Sequence, residues 1–428
     1  MAPGLSSRVH IIGAGLAGLA AAVRLTAAGA AVTVYESAPR AGGRCRSYHD
    51  PLLDCVIDNG NHLMLSGNHA IMAYVKAIGA EDRLAGPRDA IFPFVDVATA
   101  ARWSLKPSDG VIPWWLFNPA RRVPNTSVWQ YLSVARVMRA GSGETMTACV
   151  GASGNLYRNF WEPLTVAVLN TAPGEAAAGL MSPVLRETFL KGASACRPLV
   201  ARDSLAATLV DPAVDSLTRA GARFKFGTRI RGIALSASRA TALDADDTAI
   251  PLGESDTVIL AAPAWIAETL LPGLTAPPPG EPIVNVHYRL PRPVAAPGEV
   301  RIVGVVGGAA QWVFARGDIA SVTISAASDF ADTPAEEIVT RCWPDVALAL
   351  ELGDTTLPPA RVVKEKRATF AQTPAAAKLR PGCRTTFANL LLAGDWTDTG
   401  LPATIEGAVR SGFTAAAETL RLHAAKAA

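Results

Sequence analysis

The chain has 428 residues, enough for about two or three domains around a large buried core. Half of the residues are hydrophobic and 18% are charged, and 40 basic and 37 acidic side chains leave a formal net charge of +3. This balance argues against nucleic-acid binding. The six cysteines form no CxxC pair, so neither a zinc site nor a redox dithiol is indicated. No metal is expected, and the thiols are interpreted as reduced in a cytoplasmic protein.

The N-terminal elements predict a βαβ unit that binds a dinucleotide. Residues 8–12 form a short β-branched strand, an alanine-rich helix is expected to reach about residue 28, and a second strand ends at Glu36. A glycine loop precedes the helix, and its candidate cofactor-binding residues are Gly13, Ala14, Gly15, Ala17 and Gly18. Bare backbone and a helix N-terminus suit a pyrophosphate, and Glu36 can bind ribose hydroxyls, with Ser37 as a further candidate.

A second glycine-rich turn follows the acidic residue. It contains Arg40, Gly42, Gly43 and Arg44, so it can place two guanidinium groups and bare backbone near a pyrophosphate. By itself it would be interpreted as an exposed loop with solvated arginines. Its position four residues after Glu36 favours phosphate binding.

The two turns together resemble those of the flavin amine oxidase and carotenoid desaturase superfamily, and the resemblance recurs along nearly the whole chain. Residues 58–62 (DNGNH) are similar to the segment alongside the flavin ring, residues 229–233 to the strand that meets the adenine, and residues 256–263 to the strand that returns to the nucleotide. Residues 390–395 and 401–412 are similar to the C-terminal motif, in which a buried strand ending in Gly-Asp precedes a helix that points at the flavin.

The resemblance implies FAD as the cofactor and adds further candidate residues. They are Gly60, Asn61, His62, Ile230, Ala262, Gly394, Asp395, Thr404 and Ile405. Asp395 is implied to bind a ribityl or phosphate-side oxygen, and Glu406 is also assigned to the cofactor. His62 is the candidate catalytic residue, because an imidazole beside the flavin could deliver a proton near neutral pH. The alternative is a histidine that forms hydrogen bonds without moving protons.

The expected fold class is α/β, with a Rossmann-like FAD-binding domain of the flavin amine oxidase type and an inserted mixed α+β substrate domain. Both domains are expected to be discontinuous. The FAD-binding domain is assigned to 1–90, 200–285 and 375–428, and the substrate-binding domain to 90–200 and 285–375. The substrate domain should take its sheet from parts of 285–370 and its helices from 90–200.

No second glycine fingerprint marks a separate NAD(P)H domain. Residues 304–308 (GVVGG) lack a following helical pattern and are predicted to form a hairpin turn between strands. Electrons would therefore come from an external reductant, from free NAD(P)H or from the substrate itself.

Residues 103–139 combine aromatic and basic side chains. These are Trp103, Trp114, Trp115, Phe117, Trp129 and Tyr131, interleaved with Arg121, Arg122, Arg136 and Arg139. Two interpretations stay open: a peripheral contact with the inner face of a membrane or the mouth of an apolar tunnel, and the buried core of the substrate domain. No run of the sequence is long and apolar enough to span a bilayer.

For the reaction, the whole-chain resemblance is to the hydroxysqualene dehydroxylase family of hopanoid pathways. It is carried by residues 40–44 (RAGGR), 58–62 (DNGNH), 159–164 (NFWEPL) and 394–408 (GDWTDTGLPATIEGA). It implies the reductive conversion of hydroxysqualene, a hydrophobic isoprenoid, to squalene. Two other hypotheses remain: an oxidative carotene or phytoene desaturase, with an amine oxidase as its variant, and a flavin-binding subunit without turnover.

Overall fold

In the computed structural model of the protein, residues 8–246, 248–296, 298–353 and 356–427 are described. The strands are β1 Arg8–Ile12, β2 Ala31–Glu36, β3 Ser47–Asp50, β4 Cys55–Asp58, β5 Met64–Leu65, β6 Leu84–Ala85, β7 Phe92–Asp96, β8 Arg102–Leu105, β9 Pro198–Ala201, β10 Arg223–Phe226, β11 Ile230–Leu235, β12 Ala240–Ala245, β13 Thr248–Pro251, β14 Thr257–Leu260, β15 Ile283–Arg289, β16 Val300–Val306, β17 Trp312–Arg316, β18 Ile319–Ile324, β19 Ala360–Glu365 and β20 Leu390–Leu392. The α-helices are α1 Leu16–Ala27, α2 His69–Ala77, α3 Val134–Met138, α4 Met146–Val150, α5 Glu162–Leu169, α6 Ala178–Glu187, α7 Ala193–Cys196, α8 Asp211–Arg219, α9 Ala264–Leu270, α10 Ala335–Leu350, α11 Pro374–Ala377 and α12 Ile405–Ala427.

A parallel five-stranded sheet, of strand order β10-β2-β1-β14-β20, underlies the region predicted to bind a nucleotide. Its strands come from three separated parts of the chain that pair side by side. Val9, Ile11, Val258 and Ile259 are fully buried, as expected for a parallel sheet covered on both faces. Helix α1 packs against the long C-terminal helix α12, so the two ends of the chain meet beside the sheet.

A seven-stranded sheet, of order β19-β15-β18-β17-β16-β7-β8, forms the second layer, and α10 packs on it. The hairpin predicted around residues 304–308 is confirmed, because β16 and β17 are antiparallel neighbours joined at 307–311. In the described residues the molecule is therefore an α/β protein with one parallel and one mixed large sheet, accompanied by three small antiparallel sheets, β3-β4, β5-β9-β6 and β11-β12-β13.

Two strands of the seven-stranded sheet come from a stretch that was expected to supply helices. β7 pairs in parallel with β16, and β8 pairs with β7 at the edge. The pairing depends on a close approach: a Cβ on Gly304 would lie 2.4 Å from the ring of Phe94. The aromatic ring of β7 thus packs on bare backbone of β16, a contact more than 200 residues apart that no local pattern reveals.

The chain between β8 and β9 is mainly helical and has an aromatic core. Tyr131, Phe160 and Trp161 pack together. The ring centroid of Phe160 lies 6.3 Å from that of Tyr131 and 4.8 Å from that of Trp161. This core adjoins β7 through Phe92 and the neighbouring Phe189. Among the described residues, no helix combines the length and apolar character needed to cross a membrane.

Candidate cofactor and substrate site

The glycine loop turns at the carboxyl edge of the parallel sheet. Gly13 has a φ of +105°, its N–H donates to the Tyr35 carbonyl at 2.8 Å, and a Cβ there would lie 2.7 Å from the Ala261 carbonyl oxygen. Gly15 borders open space, since no atom of the described residues beyond its own chain neighbours lies within 4 Å of the position of its missing Cβ. In the described part of the chain no side chain caps the N-terminus of α1, so its first N–H groups are available to an anion.

The remaining loop candidates serve packing as well. A Cβ on Gly18 would lie 2.0 Å from the Gly13 carbonyl oxygen, so a side chain there would push the helix off the strand. Ala17 is buried, and its carbonyl oxygen would lie 2.2 Å from a Cβ on Gly412 of α12. The loop, α1 and α12 are therefore fixed against one another by backbone contacts.

The Glu36 carboxylate is held at the end of β2. One oxygen accepts the Ala14 N–H at 2.9 Å, and the other accepts the Ala38 N–H at 2.8 Å and the Ser37 hydroxyl at 3.3 Å. These bonds orient the carboxylate while leaving the residue partly exposed. The Glu36 carboxylate is thus preorganised as a hydrogen-bond acceptor, which suits the predicted contact with a ribose.

The second glycine turn lies directly against the first. The Gly42 N–H donates to the Ala14 carbonyl at 2.9 Å, and the missing Cβ of Gly43 would be 3.5 Å from the Gly15 Cα. The two glycine turns therefore face each other without intervening side chains. We call the space that residues 13–18, Glu36 and residues 40–44 border the cradle. Arg40 at the start of this turn is exposed.

Arg44 points inward and joins the turn to the C-terminal motif. Its guanidinium donates to an Asp395 carboxylate oxygen and to the Ala368 carbonyl, each at 2.6 Å. Burial alone would lower the pKa of Arg44, but the Asp395 carboxylate outweighs it and raises that pKa. The ion pair, with Asp395 buried and Arg44 about one-third exposed, holds the Gly-Asp corner beside the cradle.

Hydrogen bonds fix the C-terminal motif at several positions along its sequence. The Gly394 N–H donates to the Ser411 hydroxyl at 2.8 Å, and the Trp396 indole donates to the Ala262 carbonyl at 2.9 Å. The Thr404 hydroxyl accepts the Gly407 N–H at 3.1 Å and so caps the first turn of α12, which begins at Ile405.

Glu406, which was assigned to the cofactor, forms contacts with α2 and within α12. Its carboxylate accepts the N–H groups of Ala70 and Ile71 at the start of α2, at 2.9 Å and 2.8 Å. It also pairs with Arg410 at 3.0 Å. The buried carboxylate is engaged in joining α12 to α2, and the assignment of Glu406 to the cofactor stays a prediction.

Ile230 lies at the far side of the cradle. It is buried at the start of β11, shortly after Phe226, which is in register with Glu36. The Thr228 N–H donates to the Glu36 carbonyl at 2.9 Å, which places the chain leading to Ile230 beside the ribose-binding candidate.

Residues 58–62 cross from the parallel sheet region to the seven-stranded sheet. The buried Asp58 carboxylate accepts the Ser47 hydroxyl at 2.6 Å and pairs with Arg316 at 2.9 Å. Asn61 donates to the Thr323 hydroxyl at 3.1 Å, and a Cβ on Gly60 would lie 3.1 Å from the Asn285 amide. The segment is thus held from both sides.

His62 is half-buried at the end of this segment. Burial lowers its pKa to about 4, although nearby Asp58 acts in the opposite direction. The imidazole is therefore uncharged near neutral pH. This favours a hydrogen-bonding role over delivery of a proton from an imidazolium.

Sequence reasoning missed the residues that hold segment 58–62 from the seven-stranded sheet. Besides Arg316, they are Asn285 and His287, whose ring nitrogens lie 2.8 Å from the Ser321 hydroxyl and 3.0 Å from the Asp58 carbonyl oxygen. Burial lowers the pKa of His287 to about 4 as well. The signal was present, since β15 (IVNVHYR) places polar side chains at alternate positions of an otherwise apolar strand.

Comparison with solved structures defines the class of fold. An oxidoreductase from Methanosarcina mazei superposes with a TM-score of 0.72 at 16% identity, covering 95% of this chain and 99% of that one. The model of the flavin-containing amine oxidoreductase family matches residues 16–420. The chain belongs to this family, and membership implies a flavin cofactor.

Individual relatives of the chain point to a narrower group of proteins within this family. The chain is 49% identical over 412 residues to the hydroxysqualene dehydroxylase of Sinorhizobium fredii and 47% identical over 413 residues to that of Rhodopseudomonas palustris, covering 96% of this chain and 98% of each relative. A probable zeta-carotene desaturase of Synechococcus elongatus is 24% identical, with 97% of this chain and 99% of the relative covered.

Proposed function

We propose that the protein is an FAD-dependent enzyme that reductively dehydroxylates hydroxysqualene to squalene. The observation that carries the proposal is the 47–49% identity to hydroxysqualene dehydroxylases along nearly the full length of both chains. The much lower identity of 24% to a probable desaturase makes the oxidative reading the weaker alternative.

The residues of the cradle fit FAD. The open space at Gly15 and the uncapped N-terminus of α1 suit its pyrophosphate, and the oriented Glu36 suits the ribose of its adenosine half. Segment 58–62, Asp395 and the start of α12 would hold the flavin half. A single mononucleotide would leave part of this set unused, which is why we favour the dinucleotide.

When bound and reduced, the flavin supplies the hydride that replaces the hydroxyl group of the substrate. The protein's own part is to orient the substrate, exclude water and direct a proton to the departing hydroxide. We infer that His62, being uncharged, donates or accepts a hydrogen bond beside the flavin and is not the general acid. An external reductant or free NAD(P)H would return the flavin to its reduced state. We place the protein at the inner face of the membrane.

An anaerobic half-reaction tests the proposal. The purified protein is reduced without oxygen, hydroxysqualene is added, and flavin absorbance and extracted lipids are followed together. Reoxidation with squalene as the product is expected. Bleaching of the oxidised protein by a polyene precursor would instead establish a desaturase, and flavin that never exchanges electrons with either lipid would indicate a non-catalytic subunit.

A further inference from the structure

Six large apolar side chains are exposed within a short stretch of the substrate region. They are Val111 (74% exposed), Ile112 (53%), Trp114 (63%), Phe117 (63%), Trp129 (78%) and Leu132 (61%), and we call them the aromatic face. Single exposed apolar residues are common, but a cluster rich in tryptophan marks a contact surface. Tryptophan in particular favours the boundary between water and lipid.

The aromatic face is supported by buried ring contacts and hydrogen bonds. Beneath it the buried rings of Trp115 and Tyr131 meet edge to face, 5.9 Å between centroids. The Tyr131 hydroxyl accepts the Val123 N–H at 3.0 Å, and Arg122 donates to the Leu116 carbonyl. Four of the six exposed side chains therefore sit on two short 3-10 helices, Trp114–Phe117 and Val128–Ser133, which are joined by these buried contacts, and Val111 and Ile112 directly precede the first helix.

The same stretch carries an excess of positive charge. Residues 103–139 contain five basic side chains and one acidic side chain, a net charge of +4 that exceeds the +3 of the entire chain. The basic residues are Lys106, Arg121, Arg122, Arg136 and Arg139. None of them forms a salt bridge with an acidic side chain in the described parts of the chain. Uncompensated cations around exposed tryptophans complement an anionic lipid surface.

A cavity of about 420 Å³ opens on this face. Trp129 and Leu132 belong both to the aromatic face and to the lining of the cavity, which continues to Tyr157 and Trp161 in the helical core. Its volume lies within the range of pockets that hold small-molecule ligands. A molecule leaving a bilayer at this face would therefore meet an opening with aromatic and aliphatic walls, which also contains the polar side chains of Gln130, Ser133, Arg136 and Ser153.

We propose that the aromatic face docks on an anionic lipid bilayer, and that the cavity at Trp129 and Leu132 receives an apolar substrate directly from it. The first half depends only on the surface; the second rests on the proposed function. A long polyene is nearly insoluble in water, so entry from the membrane avoids an aqueous intermediate.

Vesicle sedimentation with the flavin-loaded protein tests docking without reference to activity. Vesicles of phosphatidylcholine alone are compared with vesicles that also contain phosphatidylglycerol, at low and high salt. Binding at least about tenfold tighter to the anionic vesicles, and weakened by salt, is expected. The Arg139→Gln variant should lower this affinity about fivefold.

Trp114 and Phe117 do not line the cavity, so their removal probes docking alone. The double variant Trp114→Ser with Phe117→Ser should bind anionic vesicles more than about tenfold more weakly. Leu52→Ser with Val56→Ser, similarly exposed on the β3–β4 hairpin, serves as the matched control and should bind like the original protein. Equal binding by the first variant, or no preference for anionic vesicles, would overturn the proposal, as would a dimer held together by this face.

Turnover separates the two halves of the proposal. With hydroxysqualene in vesicles, the Trp114→Ser, Phe117→Ser variant should lose turnover by about the factor it loses in binding, and with substrate in detergent it should keep the original rate. Undiminished turnover in vesicles would refute delivery from the membrane. If the original protein binds vesicles but converts hydroxysqualene in neither form, the proposed function fails while docking stands.

Discussion

At the scale of single residues, the cradle is shaped by absent side chains and by one oriented carboxylate. Gly15 leaves space that a side chain would fill, and Gly43 approaches it closely from the second turn. Glu36 is fixed by backbone N–H groups of Ala14 and Ala38. Such backbone contacts cost no side-chain entropy when a ligand binds, so the site is preorganised.

Filling the space at Gly15 should remove the flavin. In Gly15→Val the new side chain would project into the space assigned to the pyrophosphate, and flavin content per mole of purified protein should fall at least about tenfold. Gly143→Val is the matched control, because its missing Cβ also faces open space but lies in a loop remote in sequence from the cradle. Equal flavin content in both variants would rule out the cradle.

The pH dependence distinguishes the two roles considered for His62. Its pKa of about 4 lies below the ordinary value of 6.5, so the cationic form is lost as pH rises through about 4 and the ring is neutral at pH 7. His62→Gln should therefore lower the rate less than about tenfold and leave the rate–pH profile unchanged between about pH 5 and 8.

The exposed His49, paired with Asp54 on the β3–β4 hairpin, provides a control for replacing a histidine. His49→Gln should leave both rate and profile as they are. If the rate–pH profile of the original protein has a limb at about pH 6–7 that disappears in His62→Gln but not in His49→Gln, then His62 is the general acid. The rate should in that case fall roughly 10²–10⁴-fold in His62→Gln, as expected for the loss of a general acid.

At the scale of elements, the link between the two sheets positions segment 58–62, which is proposed to lie beside the flavin. Arg316 at the end of β17 reaches across to Asp58 at the end of β4, and His287 of β15 contacts the Asp58 backbone. Three strands from different parts of the chain therefore converge on one short segment. Its position depends on this junction as much as on its own sequence.

Breaking the junction should cost stability. Arg316→Met leaves the buried Asp58 carboxylate without its cation, and the free energy of unfolding should fall by about 2–3 kcal/mol. Arg231→Met removes the equivalent partner from Asp246 in a pair that is largely exposed, and should cost less than about 1 kcal/mol. Denaturant unfolding of the flavin-loaded proteins compares them. Equal losses in the two variants would contradict a structural role for the junction.

Sequence reasoning recovered the elements whose signals are local. The glycine loop, α1 and β2 follow from spacing that any short window contains, and the turn after β16 follows from glycine without a helical pattern. β7 and β8 were missed because their pairing depends on Phe94 packing over Gly304, far along the chain. The contacts of Glu406 were missed for the same reason, because its partners lie in α2, more than 300 residues earlier.

At the scale of the whole molecule, distant stretches meet at one edge of the parallel sheet. β1, β2, β14 and β20 end together there, which brings Gly15, Arg44 and Asp395 into one cradle. The chain between β8 and β9 carries the aromatic face and its cavity, and its aromatic core contacts β7 of the seven-stranded sheet. Cofactor binding and substrate capture are thus proposed for different parts of one molecule.

The most direct measurement follows hydrogen from the flavin into the lipid. The protein is reduced in deuterated water under anaerobic conditions, and hydroxysqualene is added for a single turnover. The deuterium content of the extracted squalene is then measured by mass spectrometry. Squalene carrying one deuterium is expected in proportion to the flavin reoxidised, and no labelled squalene is expected with the Gly15→Val variant. Flavin that stays reduced while hydroxysqualene is recovered intact would contradict the proposed function.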